Sequence, residues 1–548
     1  MADILLIQPP IKDFYLTKKR TIPYGLACIA SCLIKEGFTV DMFDALATNR
    51  YRNIEMPEEM AYLKKYYGKS DISSFALFHH FRHYGYSFEH IGNVASKSKA
   101  YLVGICALFT PYINEALKTA EVVKLCNPHC KIVIGGHHPT YLPDDVISRK
   151  YIDFVIRGDG ELPMTLLAKA LKLGTGFDEI PGIVYKKNGL LVRKKPIYIK
   201  TLINMPLPAL NLIKHGFYNR KKKTSITVVT SRGCPMKCSY CCVGMHSGRK
   251  YTRRSVESVI NEIERAVLSY NAGFVDFEDE NISLNKTWFL SLLSEIIERF
   301  ARYDIELRAM NGLFPPSLDD KVIYNMKKAG FKTVNLALAS TSSAQLERFQ
   351  RTDVRKNFDN VLVLAEKYNI NAVGYIIAGS PYQTADSSIS DLLYLAQRRV
   401  LAGISIFYPA PGSACYTLAQ KLKILPESYL LMRSSALPVS HSTTRKESVT
   451  LLRLARILNF IKMLIDKELD IPCPMPFDEV SIMSAHDKIS MGKMLLASFL
   501  HDGKIRGITE KNEVYEHVVS EMLTKKFIER LKNVSIKGCE KKIQKKIY

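Results

Sequence analysis

The stretch "TSRGCPMKCSYCCVG", Thr230 to Gly244, packs four cysteines into nine residues directly after the predicted strand "ITVVT". Cys234, Cys238 and Cys241 have the spacing C-x3-C-x2-C. With 12 cysteines in 548 residues, such a pattern arises by chance in roughly 0.6% of comparable chains. A structural zinc site wants four ligands, commonly as two pairs. No second pair follows, although His246 could complete a zinc set. Three thiolates fit a four-iron cluster with one iron left open, since such clusters ordinarily take four thiolates. Cys242 is not read as the fourth ligand, because adjacent side chains diverge and Cys241 holds the better spacing.

Downstream of this loop, an amphipathic helix (Val256, Val259, Ile260, Ile263 and Val267 on one face) precedes "FVDF", "TVNLALAS", "VGYIIAG" and "ISIFYPAP". Together with "ITVVT" these are five readable strands, and helices between them point to a parallel barrel, complete or partial. Upstream, "ILLIQ", "FTVDMFD", "YLVGICAL", "KIVIGG" and "DFVIRG" alternate with helices in the manner of an open, Rossmann-like parallel sheet. The insertion "FALFHHFRHYGYSFEHI" carries four histidines that could bind metal, and reads as a partly exposed helical layer. The fold class is thus α/β, with expected units at 1–185 (sheet domain), 186–224 (linker), 225–430 (barrel) and 431–548 (a mostly helical region without a recognisable motif).

Composition narrows the function classes. Hydrophobic content of 47% and charged content of 24% are those of a folded globular chain. There is no long apolar run of spanning length, and "MADILLIQPP" reads as a first strand rather than a leader, so the expected location is the cytoplasm with reduced thiols. The formal charge of +24 is scattered over clumps such as "TKKR", "RKKK" and "EKKIQKKIY", which suits a solvated basic surface better than a nucleic-acid module.

With Tyr240 in its aromatic position, C-x3-C-x-aromatic-C resembles the signature of the radical S-adenosylmethionine (SAM) enzymes. The resemblance implies a [4Fe-4S] cluster on Cys234, Cys238 and Cys241 whose open iron binds SAM, under anaerobic conditions. It also implies SAM contacts from Tyr240, from Glu278, Asp279 and Glu280 in "FVDFEDEN", from Ser340, and from Ile376 and Gly379 in "GYIIAGSPYQT". Where many relatives carry Glu before that Ser, this chain has Ala339. The first domain resembles the cobalamin (B12)-binding fold. Its implied contacts are Gln8 and Pro9 after the first strand, Gly25 and Leu26 in "IPYGLACIA", Cys106, Leu108 and Thr110, then Gly135, Gly136 and His137 in "GGHHPT", and Gly158, Gly160 and Glu161 in "RGDGE".

One departure is specific. Cobalamin carriers with D-x-H-x-x-G supply an axial histidine, and here "DALATN", Asp44 to Asn49, has none. Cobalt is therefore expected to receive no axial His from the Asp44 loop. The resemblance implies a cobalamin-dependent radical SAM enzyme, foremost a C-methyltransferase acting on an unactivated carbon through a 5'-deoxyadenosyl radical and methylcobalamin. The alternatives are an oxidase, cyclase or rrearrangement enzyme without methyl transfer, and a cobalamin sensor or carrier without catalysis. Implied partners are a small-molecule or peptide substrate and an external electron donor such as flavodoxin or ferredoxin. A methylthiolating RNA enzyme would need an N-terminal cysteine set richer than Cys28 and Cys32.

Overall fold

The computed structural model describes residues 2–17, 21–244, 248–478, 482 and 487–538. The first sheet holds β1 (Ile4–Gln8), β2 (Val40–Asp44), β3 (Leu102–Cys106), β4 (Lys131–Gly135), β5 (Phe154–Ile156), β6 (Ile183–Lys187) and β7 (Leu190–Arg193). Its order is β7-β6-β5-β4-β3-β1-β2, parallel from β5 to β2 and antiparallel at β6 and β7. The sheet therefore runs past residue 185 as far as Arg193.

Alternation along each strand sends side chains to two apolar layers. Ile4 and Leu6 pack with Leu26, Leu33 and Leu167 on one face, while Leu5 and Ile7 pack with Ile91, Ala116 and Val123 on the other. Both faces are covered by helices, so the sheet is doubly wound.

The second unit holds β8 (Lys223–Val228), β9 (Ala272–Phe277), β10 (Glu306–Ala309), β11 (Thr333–Ala339), β12 (Asn371–Ala378) and β13 (Leu401–Ile406). They form two parallel sheets, β8-β9-β10 and β11-β12-β13, joined by the bridges Leu307↔Phe331 and Leu313↔Leu336. Six strands thus make a partial barrel. Sequence reading found five of them and missed β10, a short strand whose Arg308 gives it no continuous apolar run.

An edge strand exposes unpaired backbone groups that must be covered. At β13 the cover is Asn459 of the helix Arg445–Asp466, whose amide accepts from Ala402 N (2.9 Å) and donates to Ala402 O (2.8 Å).

The histidine-bearing insertion is not the expected helical layer. Residues 75–81 have no regular structure, Arg82–Tyr84 is a short strand, and helix begins at Phe88. The physical reason is its role as a seat for the C-terminal region. Phe75 meets Phe460 edge-on at 5.6 Å, and buried Arg453 donates to the carbonyls of Tyr66 and Phe75, which a helix would have used internally. The C-terminal region adds helices Lys488–Asp502 and Glu521–Lys532 and a hairpin of β14 (Arg506–Ile508) and β15 (Val514–Glu516). Among the described residues no helix is long and apolar enough to cross a membrane.

Candidate active site

The carboxyl ends of β4 and β5 meet the loop after β8. In parallel sheets this is where ligand sites form. The cysteine loop leaves β8 through Ser231–Arg232, which pairs antiparallel with Thr252–Arg253 on its return. Asp279, just beyond β9, fastens the exit: its carboxylate accepts from Thr230 N (3.1 Å), Thr230 Oγ1 (2.7 Å) and Ser231 Oγ (2.5 Å). The Asp279 carboxylate thus holds the loop's entry.

Cys234, Cys238 and Cys241 are free thiols. Burial first, and then their mutual proximity and that of Glu280, push Cys234 upward; burial dominates at Cys241 as well, with Cys238 and Glu280 contributing. The three thiols and Glu280 thus lie near enough to act on one another electrostatically. Its own carboxyl is raised, chiefly by burial.

On the other side stands Arg351, which sequence reading missed. Its Nη1 donates to Tyr240 OH (3.0 Å) and reaches Cys238 Sγ at 3.8 Å, and its Nη2 donates to Ala337 O (2.7 Å). The Tyr240 ring packs edge-on against Phe349 at 4.9 Å. A soft, three-thiol donor set beside a half-buried cation fits an anionic iron–sulfur cube with one iron unligated by protein.

Further along the barrel the predicted SAM contacts divide. The amide of Glu278 is tied to Val228 O (3.1 Å), and its carbonyl accepts from Asn311 Nδ2 (3.2 Å). Ser340 is buried with its hydroxyl on Asp391 (2.9 Å), and Ile376 is fully buried in the main core. The Ser340 hydroxyl is thus turned to Asp391 of the helical layer, and Ile376 to the core. The neighbouring Ile377 faces the Tyr240 side. Gly379 adopts φ +78°, and a Cβ there would lie 3.2 Å from Ser448 Oγ.

The barrel also holds Arg308, in β10. Its Nε lies 3.7 Å from Asp276 Oδ2, and buried Nε and Nη2 make no hydrogen bond among the described residues. Burial lowers this guanidinium to about 10.

The first domain's strand ends divide in the same way. Leu108 and its neighbour Phe109 are 50% and 55% exposed, Cys106 is half-buried at the end of β3, and a Cβ on Gly25 would meet nothing within 4 Å. An apolar rim beside an open backbone suits the broad face and tail of a corrin. Other predicted contacts are occupied by the protein itself. Glu161 pairs with Arg232 of the cysteine loop, and Asp159 with Arg249 and, at 3.4 Å, Arg232. A Cβ on Gly158 (φ +82°) would lie 2.9 Å from Ile197 O, and one on Gly160 2.9 Å from Ile29 Cδ1. "RGDGE" therefore packs the two domains together. Leu26 is likewise a core side chain.

Gly136 sits at φ +131°, where a Cβ would lie 2.6 Å from Ala107 O, and Gly135 adjoins it at the end of β4. Thr110 Oγ1 meets His138 Nδ1 at 3.3 Å. His137 Nε2 lies 2.8 Å from Cys242 Sγ, and Tyr141 OH donates to Cys242 O at 2.6 Å. At the Asp44 loop, Asp44 accepts from Gln8 Nε2 (3.1 Å), Leu46 N (2.9 Å) and Tyr218 OH. Pro9 is buried beside it. His246, the alternative zinc ligand, lies outside the described residues, as do Lys18 to Arg20 and the tail from 539.

A three-thiol loop at the end of a partial parallel barrel, gripped by the strand ends of a doubly wound sheet, joins two cofactor folds in one chain. A B12-binding-domain model matches residues 17–168, and a radical SAM superfamily model matches residues 228–393. The chain is a cobalamin-binding radical SAM enzyme.

Known proteins similar to this enzyme agree. It is 26% identical over 424 residues to a Pyrococcus horikoshii protein named as an uncharacterized methyltransferase, covering 76% of this chain and 83% of that one. It is 26% identical over 292 residues to an anaerobic magnesium-protoporphyrin IX monomethyl ester cyclase of Rubrivivax gelatinosus, covering 52% of each. Its fold matches that of the radical SAM methyltransferase TsrM of Kitasatospora setae (TM-score 0.58, 17% identity), covering 77% of this chain and 76% of that one.

Proposed function

We propose that this radical SAM enzyme transfers a methyl group to an unactivated carbon of a small-molecule or peptide substrate. The observation that carries the proposal is the direct grip of the cobalamin domain on the cysteine loop, through Glu161–Arg232, Asp159–Arg249 and His137–Cys242. A loop so held supports two cofactors facing one substrate. When bound, the cluster and SAM supply a hydrogen-abstracting 5'-deoxyadenosyl radical and cobalamin supplies a methyl group. The similar Pyrococcus horikoshii protein is named as a methyltransferase, which favours this outcome over ring closure.

The chain's own residues would bind, orient and exclude water. Cys234, Cys238 and Cys241 would hold the cluster, with Arg351 lending positive charge at Cys238. Glu280, half-buried beside the thiols, would take the ammonium of the methionine moiety, which would draw its raised carboxyl back down. Arg308 would take a carboxylate on Nη2 and Nε, which make no hydrogen bond among the described residues. Leu108 and Phe109 would cover the corrin edge. An external one-electron donor of flavodoxin or ferredoxin type would complete the system, working in the cytoplasm.

Reconstituted enzyme given SAM labelled in its methyl group and candidate substrates should form labelled product together with 5'-deoxyadenosine. Formation of 5'-deoxyadenosine and altered, unlabelled product would replace methyl transfer by an oxidase- or cyclase-type outcome.

A further inference from the structure

The insertion of the first domain is bound to the C-terminal hairpin by a built interface. Ile72 N donates to Ile508 O (2.9 Å), Tyr515 OH donates to Ser70 O (3.1 Å), and buried His517 meets Asp71 at 2.8 Å. At the hairpin's turn, Glu510 N reaches Ser70 Oγ (3.4 Å). That contact places its carboxylate against the insertion's consecutive histidines, His79 and His80.

We propose that His79, His80 and Glu510 form a divalent-metal site of the zinc type, which pins the insertion to the C-terminal hairpin. One potential ligand atom from each lies within 4.8 Å of the other two. Side chains of consecutive residues ordinarily diverge, yet these two rings lie with centroids 4.2 Å apart, inclined at 58°. They can do so because residues 75–81 follow no regular helix or strand.

Among the described residues, none of these three side chains is engaged in a hydrogen bond or ion pair. Two imidazoles and one carboxylate are a common zinc set, with water as fourth ligand. Zinc–ligand distances of about 2.0–2.1 Å place tetrahedral neighbours roughly 3.3 Å apart. Closing the gap from 4.8 Å falls to Glu510, the exposed member with the freest side chain.

The site is separate from the cysteine loop and independent of the methyl-transfer proposal. The test uses the cluster- and cobalamin-loaded enzyme, given zinc chloride under anaerobic conditions and then desalted. Wild-type protein should retain about one equivalent of zinc, with a nitrogen and oxygen shell at about 2.0–2.1 Å by X-ray absorption. The double variant His79→Ala/His80→Ala should lose it with iron and corrin content unchanged. Glu510→Gln, on an exposed turn, should weaken binding at least about tenfold. No retained zinc, equal zinc in wild type and double variant, or a sulfur shell at about 2.3 Å from metal in the cysteine loop would each overturn the assignment.

Discussion

The two strand-end surfaces that face each other differ in what their polar groups already do. At the first sheet, motif carboxylates are spent inside the protein: Asp159 and Glu161 hold Arg232 and Arg249, and Asp44 holds Gln8 and Tyr218. At the cysteine loop, Cys234, Cys238, Cys241 and Glu280 act on one another electrostatically, and Arg351 reaches Cys238. A short, motif-like turn can therefore build the join between domains, whereas a ligand site is marked by donors still uncommitted.

The sharpest way to break this contrast is to compare two cysteines of the same loop. Cys238 belongs to the mutually interacting set, while Cys242 is engaged with His137 and Tyr141 across the domain boundary. Cys238→Ala should abolish the four-iron spectrum and all detectable activity. Cys242→Ala should keep full cluster iron and lose no more than about tenfold in activity, the range of a supporting contact. Iron, sulfide and electron paramagnetic resonance measurements on both variants decide it. Loss of iron from Cys242→Ala would move that residue into the uncommitted set.

The next effect concerns the spent side. Burial alone would raise the Glu161 carboxyl, but the Arg232 guanidinium outweighs it and holds the group below its ordinary value. Such a depressed carboxyl contributes stability at neutral pH and loses it in acid. Arg232→Met removes the partner of a carboxylate that is almost wholly buried, which should cost about 3–5 kcal/mol at pH 7. Without its cation, Glu161 is governed by desolvation and its carboxyl rises, so the variant should gain on wild type as pH falls from 7 to 5. Urea titrations at both values test the sign. A gap that does not narrow in acid would mean that Glu161 is not the buried partner, and a loss of corrin affinity without a loss of stability would return it to the cobalamin surface.

These cases also show what the sequence could tell. Periodicity located the two α/β units because alternation and helical spacing are local: Ile113, Ala116, Leu117, Ala120 and Val123 recur at helical spacing and are buried together. Cysteine spacing located the loop for the same reason. Side-chain commitment is not local. Asp279 and Glu280 are neighbours in "FEDEN", yet one ties down Thr230 and the other faces the thiols. Ile376 and Ile377 differ by the one-residue step that reverses facing on a strand. Arg351 carried no signal, being 110 residues beyond Cys241 in the unremarked "RFQRTD". Arg232 did carry one, as a cation beside Cys234 that matched the acids of "RGDGE", but pairing them required the tertiary fold.

The finest test asks whether Arg351 acts on the cluster or merely on the fold. Its Nη1 is 3.8 Å from Cys238 Sγ and 3.0 Å from Tyr240 OH. A half-buried cation at this range favours the more negative, reduced state of a cluster. At the effective dielectric that describes protein sites, one such charge is worth about 1–3 kcal/mol. For a one-electron couple this is roughly 40–130 mV, since about 59 mV corresponds to a tenfold change. Arg351→Gln should therefore lower the cluster potential by that amount, while Arg351→Lys, which keeps the charge but loses the bond to Ala337 O, should shift it less. The readout is a potentiometric titration followed by electron paramagnetic resonance, on samples matched for iron. A merely structural role would lower iron content and leave the potential of the remaining clusters unmoved. In that case Arg351 would belong with Arg232 among the groups that hold the loop, and the electrostatic half of the contrast between the two surfaces would be lost.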